Sequence, residues 1–285
     1  EVLSKVSDRL PGSVKFIFQP AEEGPPEGED GGAGMAIREG VLDDPRPGAI
    51  FGLHVMPTLT TGSVGCRPGP LLASSDGLAI IVRGRQTHGA APWGGVDPIV
   101  VAAQIILGLQ TIVSRQINLT EAPAVVTIGM IRGGVRENII PDEVELAGTI
   151  RTLDPNARQA IHERIRNTAQ RIAESAGATA EVKIRLGNPV TVNDRELTQR
   201  AVPVLERTFG RDNVLTVPPL TVAEDFSRYQ EQIPGMFFFL GVTPQDTDLA
   251  TVAPIHSPHF FVDEGALAVG VRSFSHLVLA YLSGD

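Results

Sequence analysis

Val14-Lys15-Phe16-Ile17-Phe18-Gln19-Pro20-Ala21-Glu22-Glu23-Gly24 is the stretch whose reading decides the fold. Its first five residues are an apolar run of the length of a buried strand. Gln-Pro-Ala then breaks the run, so that two adjacent carboxylates fall in the turn just beyond it. Open α/β sheets bind ligands outside the carboxyl ends of their parallel strands, and the stretch therefore predicts a site at Glu22 and Glu23. Adjacent side chains point in different directions, which lets one carboxylate hold a metal while the other moves a proton. Glu-Glu alone reads more often as a solvated acidic loop, and the histidines downstream change that balance.

Working outward, Gly31-Gly32-Ala33-Gly34 leads into a short helix over 35–39 closed by Gly40. Residues 49–53 then read as a second buried strand with His54 at its carboxyl end. Strand, helix and strand at this spacing make a βαβ unit whose parallel strands end on one side, so Glu22, Glu23 and His54 are expected on one edge. From residue 75 the texture changes. A strand over 78–82 precedes a helix opened by Asp97-Pro98, and strands follow over 124–131 and 143–151. Asp154-Pro155 opens a second helix, with Ile161, Ile165, Ala169, Ile172 and Ala176 on one face and Gly177 as its stop. A strand over 180–186 completes the order β-α-β-β-α-β, the ferredoxin-like arrangement, within residues 75–187. Residues 1–74 and 188–285 on either side make up one domain, and the block between them is an inserted domain.

Beyond the insert, Asn193-Asp194-Arg195-Glu196 reads as a capping box opening a helix to Phe209. A short strand over 214–217, the stretch Ala223-Glu224-Asp225-Phe226, a strongly apolar strand over 236–240 and the loop His256-Ser257-Pro258-His259-Phe260 follow. A last helix spans 263–282. The fold class is α/β: an open, mostly parallel sheet with an inserted ferredoxin-like unit.

Composition narrows the function. The net charge is −9 and no basic stripe occurs, which argues against a nucleic-acid partner. Cys66 is the only cysteine of 285 residues, so no intrachain disulfide can form and a reducing, cytoplasmic location is expected. The longest apolar stretch, residues 99–113, is interrupted by Gln104, Gly108 and Gln110 and reads as too short for a bilayer, so no membrane partner is expected. The chain opens at Glu1 inside an apolar-periodic segment and without an initiator Met, so an upstream segment is expected.

Glu23, His54 and His256 are the candidate metal ligands, since two imidazoles and a carboxylate suit Zn²⁺ or a similar ion. Glu22 is then the candidate general base. His88, in Thr87-His88-Gly89-Ala90-Ala91-Pro92, is a candidate for polarising a carbonyl from the inserted domain. Taken singly, a histidine in a loop or strand is more often structural. Glu224 and Asp225 read either as partners of metal-bound imidazoles or as ordinary helix-start acids.

Gln19-Pro20-Ala21-Glu22-Glu23-Gly24, Gly52-Leu53-His54-Val55, His88-Gly89-Ala90-Ala91-Pro92 with Gly95-Val96-Asp97-Pro98, Asn138-Ile139-Ile140-Pro141-Asp142, Gly148-Thr149-Ile150-Arg151, Ala223-Glu224-Asp225-Phe226 and His256-Ser257-Pro258 together resemble one family. It is the amidohydrolase branch of the aminoacylase/carboxypeptidase metallopeptidases, which includes hippurate hydrolases, N-acyl-amino-acid amidohydrolases and auxin-conjugate hydrolases. The resemblance spans the chain in order. It implies a two-metal catalytic domain (Zn, Mn, Co or Ni) and a ferredoxin-like lid that forms a homodimer. It also implies Glu22 as general base, Glu23 and His256 as ligands of one ion, His54 as ligand of the other, and His88 in transition-state binding. Asn138 and Arg151 would hold the carboxylate of a small N-acyl amino acid substrate. Members carry a Cys-Gly-His-Asp-x-His motif before the Glu-Glu loop. No such motif occurs in these 285 residues, and Cys66 does not replace it. Without that segment an exposed apolar face or unpaired strand edge is expected. The implied activity is metal-dependent hydrolysis of N-acyl or N-aroyl amino acids, hippurate among them, and of related esters. The alternative is a truncated or degenerate relative that dimerises and binds ligand without turnover. No G-x-S-x-G elbow supports a serine hydrolase, and there is no P-loop.

Overall fold

Capping carboxylates at Asp97, Asp154 and Asp194 place three of the α-helix starts, and apolar runs place most of the strands. In chain order the elements are α1 (Gly32–Arg38), β1 (Ile50–Thr60), β2 (Val64–Cys66), β3 (Gly69–Leu72), β4 (Asp76–Arg83), β5 (Thr87–His88), α2 (Pro98–Thr111), β6 (Ala124–Gly133), β7 (Ile139–Ile140), β8 (Glu143–Thr152), α3 (Pro155–Ser175), β9 (Thr179–Leu186), β10 (Thr191–Asn193), α4 (Arg195–Phe209), β11 (Val214–Thr216), α5 (Ser227–Gln230), β12 (Gly235–Thr243) and α6 (Gly265–Ser283). These come from a computed structural model, which describes residues 1–26 and 28–284. They divide into two units: residues 1–71, 191–220 and 224–285, and residues 72–190 with 221–223.

In the first unit the sheet order is β1-β12-β2-β11, and two of its three pairings are parallel. β12 is buried at every position, which is why it reads as a continuous apolar run rather than an alternating one. Met236, Phe238 and Leu240 pack with Leu197, Ala201 and Leu205 of α4 and with Ala266 and Leu277 of α6. Asp194 caps α4 by accepting from Leu197 N–H at 2.8 Å, so it caps alone rather than as part of the expected box with Glu196.

Two readings of this unit need correction. Residues 14–18 form no strand. Phe16 and Phe18 are 65% and 91% exposed, their rings stacked at 6.5 Å, and Lys15 Nζ donates to the Val41 and Asp43 carbonyls. An apolar run becomes a strand only if a neighbouring strand accepts its hydrogen bonds, and β1 pairs with β12 alone. The second strand is also longer than its apolar core. His54 lies in the middle of β1, opposite Phe239, because the ladder to β12 runs on to Met56 and resumes at Thr60.

The second unit forms an antiparallel sheet of order β6-β8-β4-β9. With α2 and α3 this is the ferredoxin-like β-α-β-β-α-β order, and the short pair β5-β7 is added to it. Asp97 and Asp154 each accept two backbone N–H bonds at the starts of α2 and α3, with proline at the next position. Ile161, Ile165, Ala169 and Ala173, spaced four apart, bury one stripe of α3 on the sheet. Residues Pro98–Gln116 and Gly265–Ser283 are long and apolar enough to cross a membrane by length and composition alone, which corrects the shorter reading of the first. Each packs one face on its own unit's core instead: Val101, Ile105 and Leu109 on the one, Ala266 and Leu277 on the other.

The second unit also encloses a charge. Asp76 has no solvent exposure, and Arg158 grips its two oxygens through Nη2 at 2.5 Å and Nε at 2.9 Å. His162 Nε2 lies 2.8 Å away and Gly187 N–H donates at 3.0 Å. Burial pushes the carboxyl up, but the Arg158, His162 and Gly187 hydrogen bonds outweigh it and hold it well below the usual carboxylate range. A depressed folded pKa stabilises above the unfolded value and is lost on acidification. The unit's unfolding free energy is therefore expected to fall as pH drops below 3.8. Asp76→Ala should lower it by about 3–5 kcal/mol at neutral pH, because Arg158 is left buried without its counter-ion. Denaturant unfolding of both proteins across pH 2–7 checks this.

Candidate metal centre

The acidic loop turns by two unusual backbone conformations. Ala21 has φ +55° and Gly24 φ +104°, with Gly24 N–H donating to the Ala21 carbonyl at 3.2 Å. His256 has φ +68° in the loop before α6. Among the described residues, Ala21 and His256 are the two non-glycine residues in the left-handed region. Strain of this kind concentrates where a structure over-determines its loops, and here it falls beside Glu22 and on His256 itself.

These loops meet. Glu23 Oε1 and His256 Nε2 lie 3.6 Å apart, each about 70% exposed. That is long for a hydrogen bond. It matches the separation of about 3.4 Å between two ligand atoms bound to one tetrahedral ion at ~2.0–2.2 Å. His54 is on β1, opposite Phe239. Its Nδ1 lies 2.7 Å from the Val55 carbonyl, which leaves Nε2 as the nitrogen able to ligate, the usual tautomeric arrangement of a metal-bound imidazole.

Glu22 belongs to a different cluster. Ligand atoms of Glu22, Glu224 and Asp225 all lie within 4.8 Å of one another, the one group of three such residues among those described. Glu23 thus faces His256 while Glu22 sits with Glu224 and Asp225. Glu224 and Asp225 are 7% and 5% exposed and are not ordinary surface acids of a helix start. Phe226 N–H donates to Glu224 at 3.2 Å, and Asp225 N–H to Glu22 Oε1 at 3.4 Å. Burial, reinforced by the Glu22 carboxylate, pushes the Glu224 carboxyl up to about 8. At neutral pH Glu224 keeps its proton and faces Glu22 as a donor rather than a second negative charge.

Asp225 ties the loop to its surroundings. It accepts from Gln19 Nε2 at 2.8 Å and from Ala33 N–H at 2.7 Å. Gly32 must be glycine there: φ is +69°, and a Cβ would collide with the Asp225 carboxylate. Tyr229 donates to Gln19 Oε1 at 2.6 Å, and burial with the nearby Asp225 charge raises its phenol to about 12. Neither Tyr229 nor the Gln19 side chain stands out in the sequence. The one available signal is that Tyr229 sits four residues after Asp225, one helical turn on. Cys66 is buried, and desolvation raises its thiol to about 11, as suits an inert core cysteine.

The remaining candidates belong to the second unit. His88 is exposed on β5, opposite Ile139, and its Nδ1 accepts from Ala90 N–H at 3.0 Å. The Asn138 carbonyl accepts from Gly89 N–H at 2.8 Å, so these two candidates are neighbours. Arg151 is on β8, opposite Val125 of β6.

Comparison with known proteins gives these motifs a context. The description Peptidase family M20/M25/M40 matches residues 1–280. Thermostable carboxypeptidase 2 of Saccharolobus solfataricus is 37% identical over 280 residues, covering 98% of this chain and 68% of the relative. N-acetylcysteine deacetylase of Bacillus subtilis is 38% identical over 281 residues, covering 99% and 70%. The crystal structure of the Bacillus subtilis YXEP protein, described as a dinuclear metal binding peptidase, superposes with a TM-score of 0.81 at 35% identity, covering 99% of this chain and 68% of that one.

The Glu224 carboxyl yields a pH test. Its pKa is raised on folding from 4.5 to about 8, so the folded state binds the extra proton and stability falls as pH rises between those values. In chelator-treated protein, Glu224→Gln should flatten the decline in melting temperature over that interval. Parallel declines in the two proteins would contradict the assignment.

Proposed function

The chain belongs to peptidase family M20/M25/M40, a family of metal-dependent hydrolases, and on that footing we propose that it hydrolyses the amide bond of N-acyl or N-aroyl amino acids, with hippurate-like compounds and related esters as substrates. The observation that carries the reading is the 3.6 Å approach of Glu23 to His256, from two motifs far apart in sequence, beside the Glu22 cluster. In this reading Glu23 and His256 would hold one divalent ion and His54 would serve a second, with Zn, Mn, Co or Ni as candidates. A carboxylate and imidazoles with a free Nε2 fit such ions. Bound ions would polarise the scissile carbonyl and acidify water.

The chain's own residues do the rest. Glu22 accepts the proton of the attacking water and returns it to the leaving amine. Glu224, keeping its proton, steadies Glu22 without repelling it. His88, whose Nδ1 is engaged by Ala90 N–H, has Nε2 left to stabilise the developing oxyanion. Asn138 and Arg151 hold the substrate carboxylate. Pairing of two copies through the second unit is supported by its edge strand β6, where Val125 and Ile131 are exposed, and by exposed Leu107 on α2. The non-catalytic alternative rests on the missing Cys-Gly-His-Asp-x-His motif alone, and the deacetylase and carboxypeptidase relatives do not favour it.

Turnover of N-acetyl- and N-benzoyl-amino acids should require added Zn²⁺, Mn²⁺, Co²⁺ or Ni²⁺ and stop on chelation. Glu22→Gln should lower kcat by about 10²–10⁴-fold. Activity indifferent to both chelator and Glu22→Gln would refute the mechanism. Glu23→Ala and His256→Ala should each weaken metal binding by about 100-fold, read by competition with a chromophoric chelator.

A further inference from the structure

We propose that Gln19 and Tyr229 are positioning residues for Glu22, acting through an internal hydrogen-bonded chain that ends at its carboxylate. The chain has one consistent polarity. Tyr229 Oη–H donates to Gln19 Oε1 at 2.6 Å, Gln19 Nε2–H donates to Asp225 Oδ1 at 2.8 Å, and Asp225 N–H donates to Glu22 Oε1 at 3.4 Å. An ionised carboxylate can only accept and an amide oxygen can only accept, so Asp225 on one side and the Tyr229 hydroxyl on the other fix which way the Gln19 amide faces. Tyr229 is 3% exposed and Asp225 5%, so water does not stand in readily for either partner. The second Asp225 oxygen is occupied by Ala33 N–H at 2.7 Å, which pins its side chain from the far side.

Gln19 and Glu22 sit on one loop, whose backbone is held by Gly32 N–H to the Pro20 carbonyl at 2.8 Å. Backbone bonds fix where the loop runs. The side-chain chain fixes how the Asp225 turn faces Glu22, and so where the Glu22 oxygen rests. A general base displaced by as little as ~1 Å loses about 10²-fold in rate, so a partial loosening is visible in kcat. The inference rests on the reading of Glu22 as the base.

The test uses Tyr229→Phe and Gln19→Met in the whole chain. Each should lower kcat for an N-acetyl-amino acid about tenfold, with KM and bound metal unchanged. In metal-free protein, the Asp225 amide should exchange with deuterium faster in both variants while the amides of β12 keep their protection. A control separates positioning from bulk stability: Ser227→Ala removes a buried hydroxyl that donates to the Glu224 carbonyl at 2.7 Å in the same turn, outside the chain of bonds. It should lower the melting temperature without lowering kcat. If the unsubstituted chain hydrolyses its substrate and Tyr229→Phe and Gln19→Met match it, or if Ser227→Ala loses kcat equally for an equal drop in melting temperature, the positioning role is wrong and the hydrolase reading stands. If the unsubstituted chain turns over no N-acyl amino acid with any of the four metals, both fall together.

Discussion

Three carboxylates within 4.8 Å of one another, two of them shut away from water, cannot all carry charge without a partner. The local structure answers that constraint in three ways. Glu224 keeps a proton. Asp225 is held by directed N–H bonds from Gln19 and from the backbone of Ala33. Glu22, the least buried, accepts a long bond from Asp225 N–H, faces the protonated Glu224, and keeps lone pairs to spare for chemistry. The division of roles among three like groups follows from their surroundings and not from their identity.

The helices were largely legible because their signals are local. Asp followed by Pro opens α2 and α3, and the four-residue spacing of Ile161, Ile165 and Ala169 marks the buried face of α3. Strands were legible where their partners exist. β4, β6, β8 and β9 lie where apolar runs place them, and their pairing reproduces the order inferred from the chain. Residues 14–18 carry the same local signal as β1, yet only β1 finds a ladder. That difference depends on a neighbour, and no residue within the run encodes it.

The site was legible in its motifs and not in its contacts. Glu22, Glu23, His54 and His256 announce themselves by residue type and context, but spacing could not reveal that Glu23 faces His256 while Glu22 turns inward to Glu224 and Asp225. Two backbone features decide this: Ala21 in the left-handed region reverses the chain between Gln19 and the carboxylates, and His256 adopts the same conformation across from it. Alanine does not favour that conformation and histidine enters it only in a small minority of cases, so neither advertises it. Gln19 and Tyr229 are invisible for a related reason, since their roles exist only once 210 positions of chain have been folded back.

The bond from Gln19 to Asp225 joins residues 206 positions apart. A ribosome extending the chain at ~5–20 residues per second needs about 10–40 s to supply the second partner after the first. Throughout that interval the acidic loop has its backbone bonds from Gly24 and Gly32 but no carboxylate to receive the Gln19 amide. The segment carrying the base must therefore wait, already synthesised, for the residues that aim it.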